Sequence, residues 1–313
     1  SRKVLLQLVL PLIGLSVLFW LLAFAPGDKH HQPALLEMSV ILRDGDGNVS
    51  AMRKGMEQAA KDLNVELRFL TPAEDNSAVE QVQLLEHEVS GAAPAILLIP
   101  ADREALGEAV SAAAGKTTLV TVESDMTAWG ADASISMDHQ ALGEALGKAA
   151  LNGVSFGGTV LLLDSLLGDN GVRERMEAAK ALLEEKGRQV RIYRWTSDST
   201  AFANILRIER PKAVIAFEAA ALTEMAELSR GEEAFPLLYG CGSTAGIAAA
   251  LEKGRVTAIA AVNVFSAGYL AVEAAAKLAR HESWTGASSV GFSIVRQETM
   301  YSSDNQKLLF PVT

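Results

Sequence analysis

The run Asp44-Gly45-Asp46-Gly47-Asn48 alternates carboxylates with glycines and imitates the opening of a calcium loop. A helix–loop–helix calcium site needs Gly at the sixth place and a bidentate Glu at the twelfth. Here Val49 and Gly55 occupy those places, so no calcium site is expected. The stretch suits a strand-to-helix turn at the carboxyl end of a first strand, the edge at which open α/β sheets bind ligands. Gly240-Cys241-Gly242-Ser243-Thr244-Ala245-Gly246 follows a strand-like run and opens a helix. Its spacing is GxGxxxG rather than GxGxxG, and Ala261 and Val262 stand where a dinucleotide site needs an acid. No GxSxG, HExxH, P-loop or CxxC occurs, and nothing aligns Ser, His and Asp as a triad. Cys241 is the single cysteine, which excludes a disulfide or multi-cysteine metal site within this chain. It reads as a packing residue. His30 and His31 lie in a polar stretch with no further ligand at useful spacing. These residues predict no catalytic group, no metal and no cofactor.

The elements that must position a site follow from periodicity. Short apolar runs at 38–42, 65–70, 95–100, 118–123, 133–137, 159–164, 189–195, 213–218, 236–240 and 257–263 read as strands, and 292–300 as a final strand with a polar return. Amphipathic stretches separate them, such as the helix carrying Val49, Met52, Met56, Ala59, Ala60 and Leu63 at 3–4 spacing. Strands alternating with helices over most of a chain mean βαβ units with parallel sheets covered on both faces. About ten strands exceed what one compact sheet usually holds, so two sheets in two lobes are predicted.

The net charge of −10, with a sequence pI near 5.1 and no Lys/Arg cluster in the body of the chain, argues against a nucleic-acid partner. Arg2 and Lys3 precede a 22-residue apolar run from Val4 to Ala25, and about 20 residues suffice to cross a membrane. Ala23-Phe24-Ala25 mimics a cleavage site, but Pro26 follows at once. The expectation is an uncleaved signal-anchor over 1–25, a linker over 26–36, and everything beyond it extracytoplasmic.

The order of segments resembles the type I periplasmic sugar-binding proteins of the ribose-binding type, whose fold also forms the effector domain of lac-repressor-type regulators. The resemblance covers about residues 37–300. It is carried by KGMEQAAKDLNVEL (54–67), EQVQLLEHEVSGAAPAILLIPAD (80–102), TLVTVES (118–124), ISMDHQALGEALGKA (135–149), GGTVLLLDS (157–165), RERMEAAKALLEEKG (173–187), AVIAFEAAALTEMAEL (213–228), LLYGCGST (237–244) and VNVFSAGYLAVEAAAKL (262–278). No DNA-binding helix pair precedes them, so a repressor is not expected.

The resemblance implies an α/β fold of two Rossmann-like lobes closing on a ligand. The first lobe would be 37–135 with 243–262, the second 136–242 with 263–290, and 291–313 a final strand and tail. Crossovers are expected near 135–138, 239–242 and 262–265. It also implies ligand-binding positions at Asp46, Asn48, Glu123, Ser124, Arg173, Glu218, Gly242 and Asn263. Several depart from the family pattern. The aromatic pair of the first loop is absent, Glu123 and Ser124 replace an Asp-Arg pair, Glu218 replaces an Asn, Gly242 replaces an Asp, and Val262 replaces a Gln beside the retained Asn263. Three carboxylates facing one guanidinium would suit a sugar-like or amine-bearing small molecule. The function implied is solute binding without catalysis, with the closed form presented to a membrane sensor histidine kinase or, as the second reading, to an ABC permease as an importer's binding subunit.

Overall fold

A parallel strand covered by helices on both faces has no polar side to spare, and the strands obey this. In the computed structural model, which describes residues 34–43, 50–164, 170–231 and 235–310, two sheets form. The first contains β1 (Leu36–Ile41), β2 (Val65–Leu70), β3 (Ala95–Leu98), β4 (Thr118–Glu123) and β5 (Ala133–Ser136) in the order β2-β1-β3-β4-β5, every neighbouring pair parallel. The second contains β6 (Thr159–Asp164), β7 (Gln189–Arg194), β8 (Ala213–Ala216), β9 (Leu237–Cys241), β10 (Ala258–Val262) and β11 (Phe292–Val295) in the order β11-β10-β9-β8-β6-β7, with only β11 antiparallel. The central strands β3 and β8 are buried throughout, whereas the edge strand β7 exposes Arg191, Ile192 and Arg194. The predicted fold class, α/β with two parallel-sheet lobes, is the one found. The expected final strand is shorter than 292–300, ending at Val295 before a 3₁₀ turn.

Helices α1 (Ser50–Leu63), α2 (Ala78–Ser90) and α3 (Arg103–Ala113) belong with the first sheet; α4 (His139–Leu151), α5 (Asn170–Glu185), α6 (Ser199–Glu209), α7 (Ala219–Leu228) and α8 (Ala245–Glu252) belong with the second. Helix α9 (Val264–Ala279) returns to pack on α1, β3 and β4, while α10 (Ser303–Leu309) packs beside β10. This corrects the expected lobe boundaries: 243–262 lies in the second lobe and α9 in the first. The reason is pairing. β10 hydrogen-bonds to β9 and β11, so the chain leaves the second sheet only after Val262. Position 239–242 is therefore no crossover. The crossings lie between Ser136 and His139, at Asn263, and near Ser288–Val290, where Ser136 N donates to Ser288 O and Val290 N to Ser136 O at 2.9 Å each.

The return of α9 depends on glycine. A Cβ at Gly55 would stand 2.0 Å from Phe265 O, and one at Gly268 2.1 Å from Met52 O. Only backbone meeting backbone allows α1 and α9 to approach so closely.

Gln81 of α2 is fully buried and ties the ends of two strands. Its Nε2 donates to Leu42 O at 2.9 Å and Ile99 O at 2.8 Å, and its Oε1 accepts from Ala101 N at 2.8 Å. These bonds hold the chain where β1 and β3 deliver residues to the cleft. Gln81→Leu would leave three backbone groups unpaired, so urea unfolding is expected to show a loss of about 2–4 kcal/mol. An unchanged midpoint would mean that the strand ends re-pair by themselves.

The predicted anchor at 1–25 and most of the linker lie outside the described residues. Among the described residues no helix is long and apolar enough to cross a membrane.

Candidate functional site

The carboxyl ends of both sheets face one cavity of about 330 Å3, within the range of small-molecule sites. Arg43 and Lys54 line it from the first lobe beside Glu123, the last residue of β4. Arg175, Glu218, Cys241 and Gly242 line it from the second lobe, Asn263 and Phe265 from the second crossing, and Lys307 from α10. Among the described lining residues Phe265 is the sole aromatic, so the missing stacking pair is not replaced.

A chain of polar contacts runs through this wall from one sheet to the other. Arg43, 9% exposed, pairs with Glu123 Oε2 through Nη1 at 3.2 Å. Glu123 sits at φ 70°, a conformation that costs an L-residue about 1–2 kcal/mol. Its carbonyl accepts from His139 Nε2 at 2.9 Å. His139 Nδ1 accepts from Arg175 Nε at 3.0 Å, so the two partners together require the neutral Nε2–H tautomer. Arg175 Nη1 donates to Phe217 O at 2.8 Å and lies 3.6 Å from Cys241 Sγ, and Nη2 lies 3.4 Å from Met137 Sδ. The link therefore spans β1, β4, the first crossing, α5 and β8. Further out, Arg103 of α3 reaches Glu174 Oε1 of α5 at 3.3 Å, a half-exposed bridge between the lobes.

Of the residues named from sequence, Glu123, Glu218, Gly242 and Asn263 line the cavity. Asp46 and Asn48 lie outside the described residues. Ser124 does not line the cavity; it is buried, and its carbonyl faces Ser134 Oγ at 3.4 Å inside the first lobe. Arg173 is exposed, and Arg175 takes the inward position. Two residues turn a helix by about 200°, so both arginines cannot face the cleft. The signal was available: Arg175 sits in the buried stripe Val172, Met176, Ala179 and Leu183, and an arginine inside an apolar stripe is an uncommon placement. Arg43 and His139 had no such marker.

Asn263 caps α9, its Oδ1 accepting from Ser266 N at 3.0 Å, which leaves its amide NH2 for the cleft. Glu218 precedes α7 without a side-chain cap bond. Gly242 has φ 139°, and a Cβ there would meet Ala219 Cβ and Ile247 Cδ1 at 2.8 Å each. No side chain fits, so this wall offers backbone where the family pattern has a carboxylate. Cys241 is 6% exposed and packs as expected, with the added contact to Arg175. Met126 and Trp195 are core, and neither Trp129 nor Trp284 lines the cavity. Among the described residues no group of three or more His, Cys, Asp or Glu could hold a metal. Among the described lining residues Arg43, Lys54, Arg175 and Lys307 face Glu123 and Glu218, and Asp46, the third acid of the expected set, lies outside the described residues.

Residues 39–283 match the model of the periplasmic binding protein domain. The chain belongs to that family. Members of the family bind solutes and are not enzymes, and the solved structures that this periplasmic binding protein resembles are of the same kind. An ABC transporter solute-binding protein from Agrobacterium vitis with bound D-fucose is 20% identical, with TM-score 0.80 over 88% of this chain and 100% of that one. A carbohydrate transporter solute-binding protein from Agrobacterium radiobacter in complex with D-arabinose is 17% identical, with TM-score 0.82 over 88% and 99%. The XylFII–LytSN complex is 16% identical, with TM-score 0.78 over 85% and 99%. At these identities the likeness is one of fold. A search of curated proteins finds no match. The family match ends at residue 283, before α10, which carries Lys307 at the cleft rim.

Proposed function

We propose that this binding protein is extracytoplasmic, closes its two lobes on a small polar, sugar-like ligand, and is held at the membrane by the apolar segment 4–25. One observation carries the reading. A cavity of about 330 Å3 lies between the carboxyl ends of two sheets, with a continuous polar link from Arg43 through Glu123 and His139 to Arg175 across it. A ligand touching both walls favours the closed form by its difference in affinity for the two states. The sugars in the D-fucose and D-arabinose complexes support the ligand class.

Two partners fit a closed form held at a membrane. The relatives described as ABC transporter components support delivery to a permease. The XylFII–LytSN complex supports presentation to a second protein, for which a sensor histidine kinase is the proposed class.

The test is thermal unfolding of residues 34–313 against neutral and acidic sugars, polyols and amines. A ligand at a hundredfold excess over its Kd is expected to add about 2.7 kcal/mol. No stabilisation by any compound would refute small-ligand binding. Ligand-stimulated ATP hydrolysis by a permease–ATPase in proteoliposomes, set against ligand-stimulated autophosphorylation of a sensor kinase, separates the two partners.

A further inference from the structure

Arg175 is 6% exposed and lines the cavity. Its hydrogen-bond partners are all neutral: the imidazole of His139, the carbonyl of Phe217 and the sulfurs of Cys241 and Met137. No carboxylate among the described residues pairs with it. A guanidinium does not deprotonate in a protein, so this buried charge stays. Buried charges are ordinarily paired, because an unpaired one forfeits its hydration with no return. Nη1 and Nε are committed to protein acceptors. Nη2 has only the weak acceptor Met137 Sδ at 3.4 Å, so it is the donor left for a ligand.

The rest of the cavity points the same way. Glu123 is taken up by Arg43 at 3.2 Å. Lys54 and Lys307 stand exposed at the rim. The wall at Gly242 admits no side chain that could supply a negative charge. Against these cations the described lining adds only Glu218.

We infer that the ligand carries a carboxylate, as a sugar acid does, and that this group seats against Arg175 Nη2. The inference rests on the reading that the cleft holds the ligand. A singly charged carboxylate matches one buried guanidinium with one uncommitted nitrogen, whereas a phosphate dianion needs more donors than that nitrogen offers.

Isothermal titration with matched pairs tests it: D-galacturonate against D-galactose, D-glucuronate against D-glucose, and D-gluconate against D-glucitol. At least one acid is expected to bind about 10- to 100-fold more tightly than its neutral partner. The methyl ester of that uronate, or an amide of gluconate, should lose the advantage on the unaltered protein, so the result does not depend on a variant folding. Arg175→Gln should likewise bring acid and neutral partner to similar affinity. Equal binding of acid and neutral partner in the unaltered protein overturns the inference and leaves the cleft reading intact. Tighter binding of D-galactose 6-phosphate than of D-galacturonate overturns the choice of carboxylate. Binding by no member of any pair overturns both the inference and the cleft reading.

Discussion

Replacing Gly143 by valine is expected to abolish ligand binding and to destabilise the protein by roughly 3 kcal/mol or more. A Cβ at this position of α4 would stand 2.1 Å from Arg175 O and 2.8 Å from Arg175 Cα. The obstacle is backbone, not the far end of a flexible side chain, so α5 must move bodily to admit it. Movement of Arg175 takes its Nε away from His139 and its Nη1 away from Phe217 O, bonds of 3.0 and 2.8 Å with little slack. Overpacking of a tight interface usually costs about 1–3 kcal/mol, and displaced backbone places this site at the upper end. For a chain of this size the midpoint of thermal unfolding should fall by about 6–12 °C. One turn along α4, Gly147 faces Leu182 Cδ2 at 3.1 Å and Ala179 O at 3.4 Å. Gly147→Ala should therefore cost much less and leave binding nearly intact. Equal effects at the two positions would show that α4 and α5 slide past each other without disturbing the guanidinium.

His139→Leu is expected to weaken ligand binding by about 100-fold while the fold survives. The imidazole is 8% exposed and serves two lobes at once, holding Glu123 O with one nitrogen and Arg175 Nε with the other. Leucine removes both bonds and leaves the Arg175 Nε–H and the Glu123 carbonyl unpaired, at a cost of about 1–3 kcal/mol for each group. Glu123 then loses a contact that supports its φ of 70°. His139 is a positioning residue: it touches the groups that face the ligand and does not line the cavity itself. Titration should show the loss as a raised Kd with most of the unfolding enthalpy retained. His139→Asn can restore one of the two bonds and should recover part of the affinity. A Kd unchanged in His139→Leu would mean that Arg175 is held well enough by Phe217 O alone.

Much of the fold was legible in the residues because its causes are local. Each apolar run but the last became a strand within a residue or two, since runs such as Ala95–Leu98 have no polar face to expose. Helix starts have local causes too: Asp102, Asp138 and Asn263 each accept from the first turn of the helix they open. The site was legible only where it rests on a strand end. Glu123, Glu218 and Gly242 line the cavity because the carboxyl ends of parallel strands converge on one crevice.

Other features depend on contacts between distant segments, and these the residues could not announce. Whether β10 joins the first sheet or the second is decided by hydrogen bonds to β9 and β11, and an apolar run pairs equally well on either side. Ser124 and Glu123 are adjacent, yet one faces the interior of a lobe and the other the cleft. Arg43 and His139 stand in no periodic stripe, and only the meeting of β1, β4 and α5 brings them to Glu123 and Arg175.

The carboxyl end of β1, which the sequence marks as a ligand edge, delivers Arg43 to the cavity wall. By itself the sequence determined the class of fold, the element order and the absence of catalytic motifs, because periodicity, capping and spacing are properties of neighbours along the chain. Among the described residues, the tertiary structure decided which charged groups are buried at the cleft. A buried Arg175 with neutral partners arises only when α5, the His139 crossing and β8 meet, and the proposal of a carboxylate on the ligand rests on that meeting.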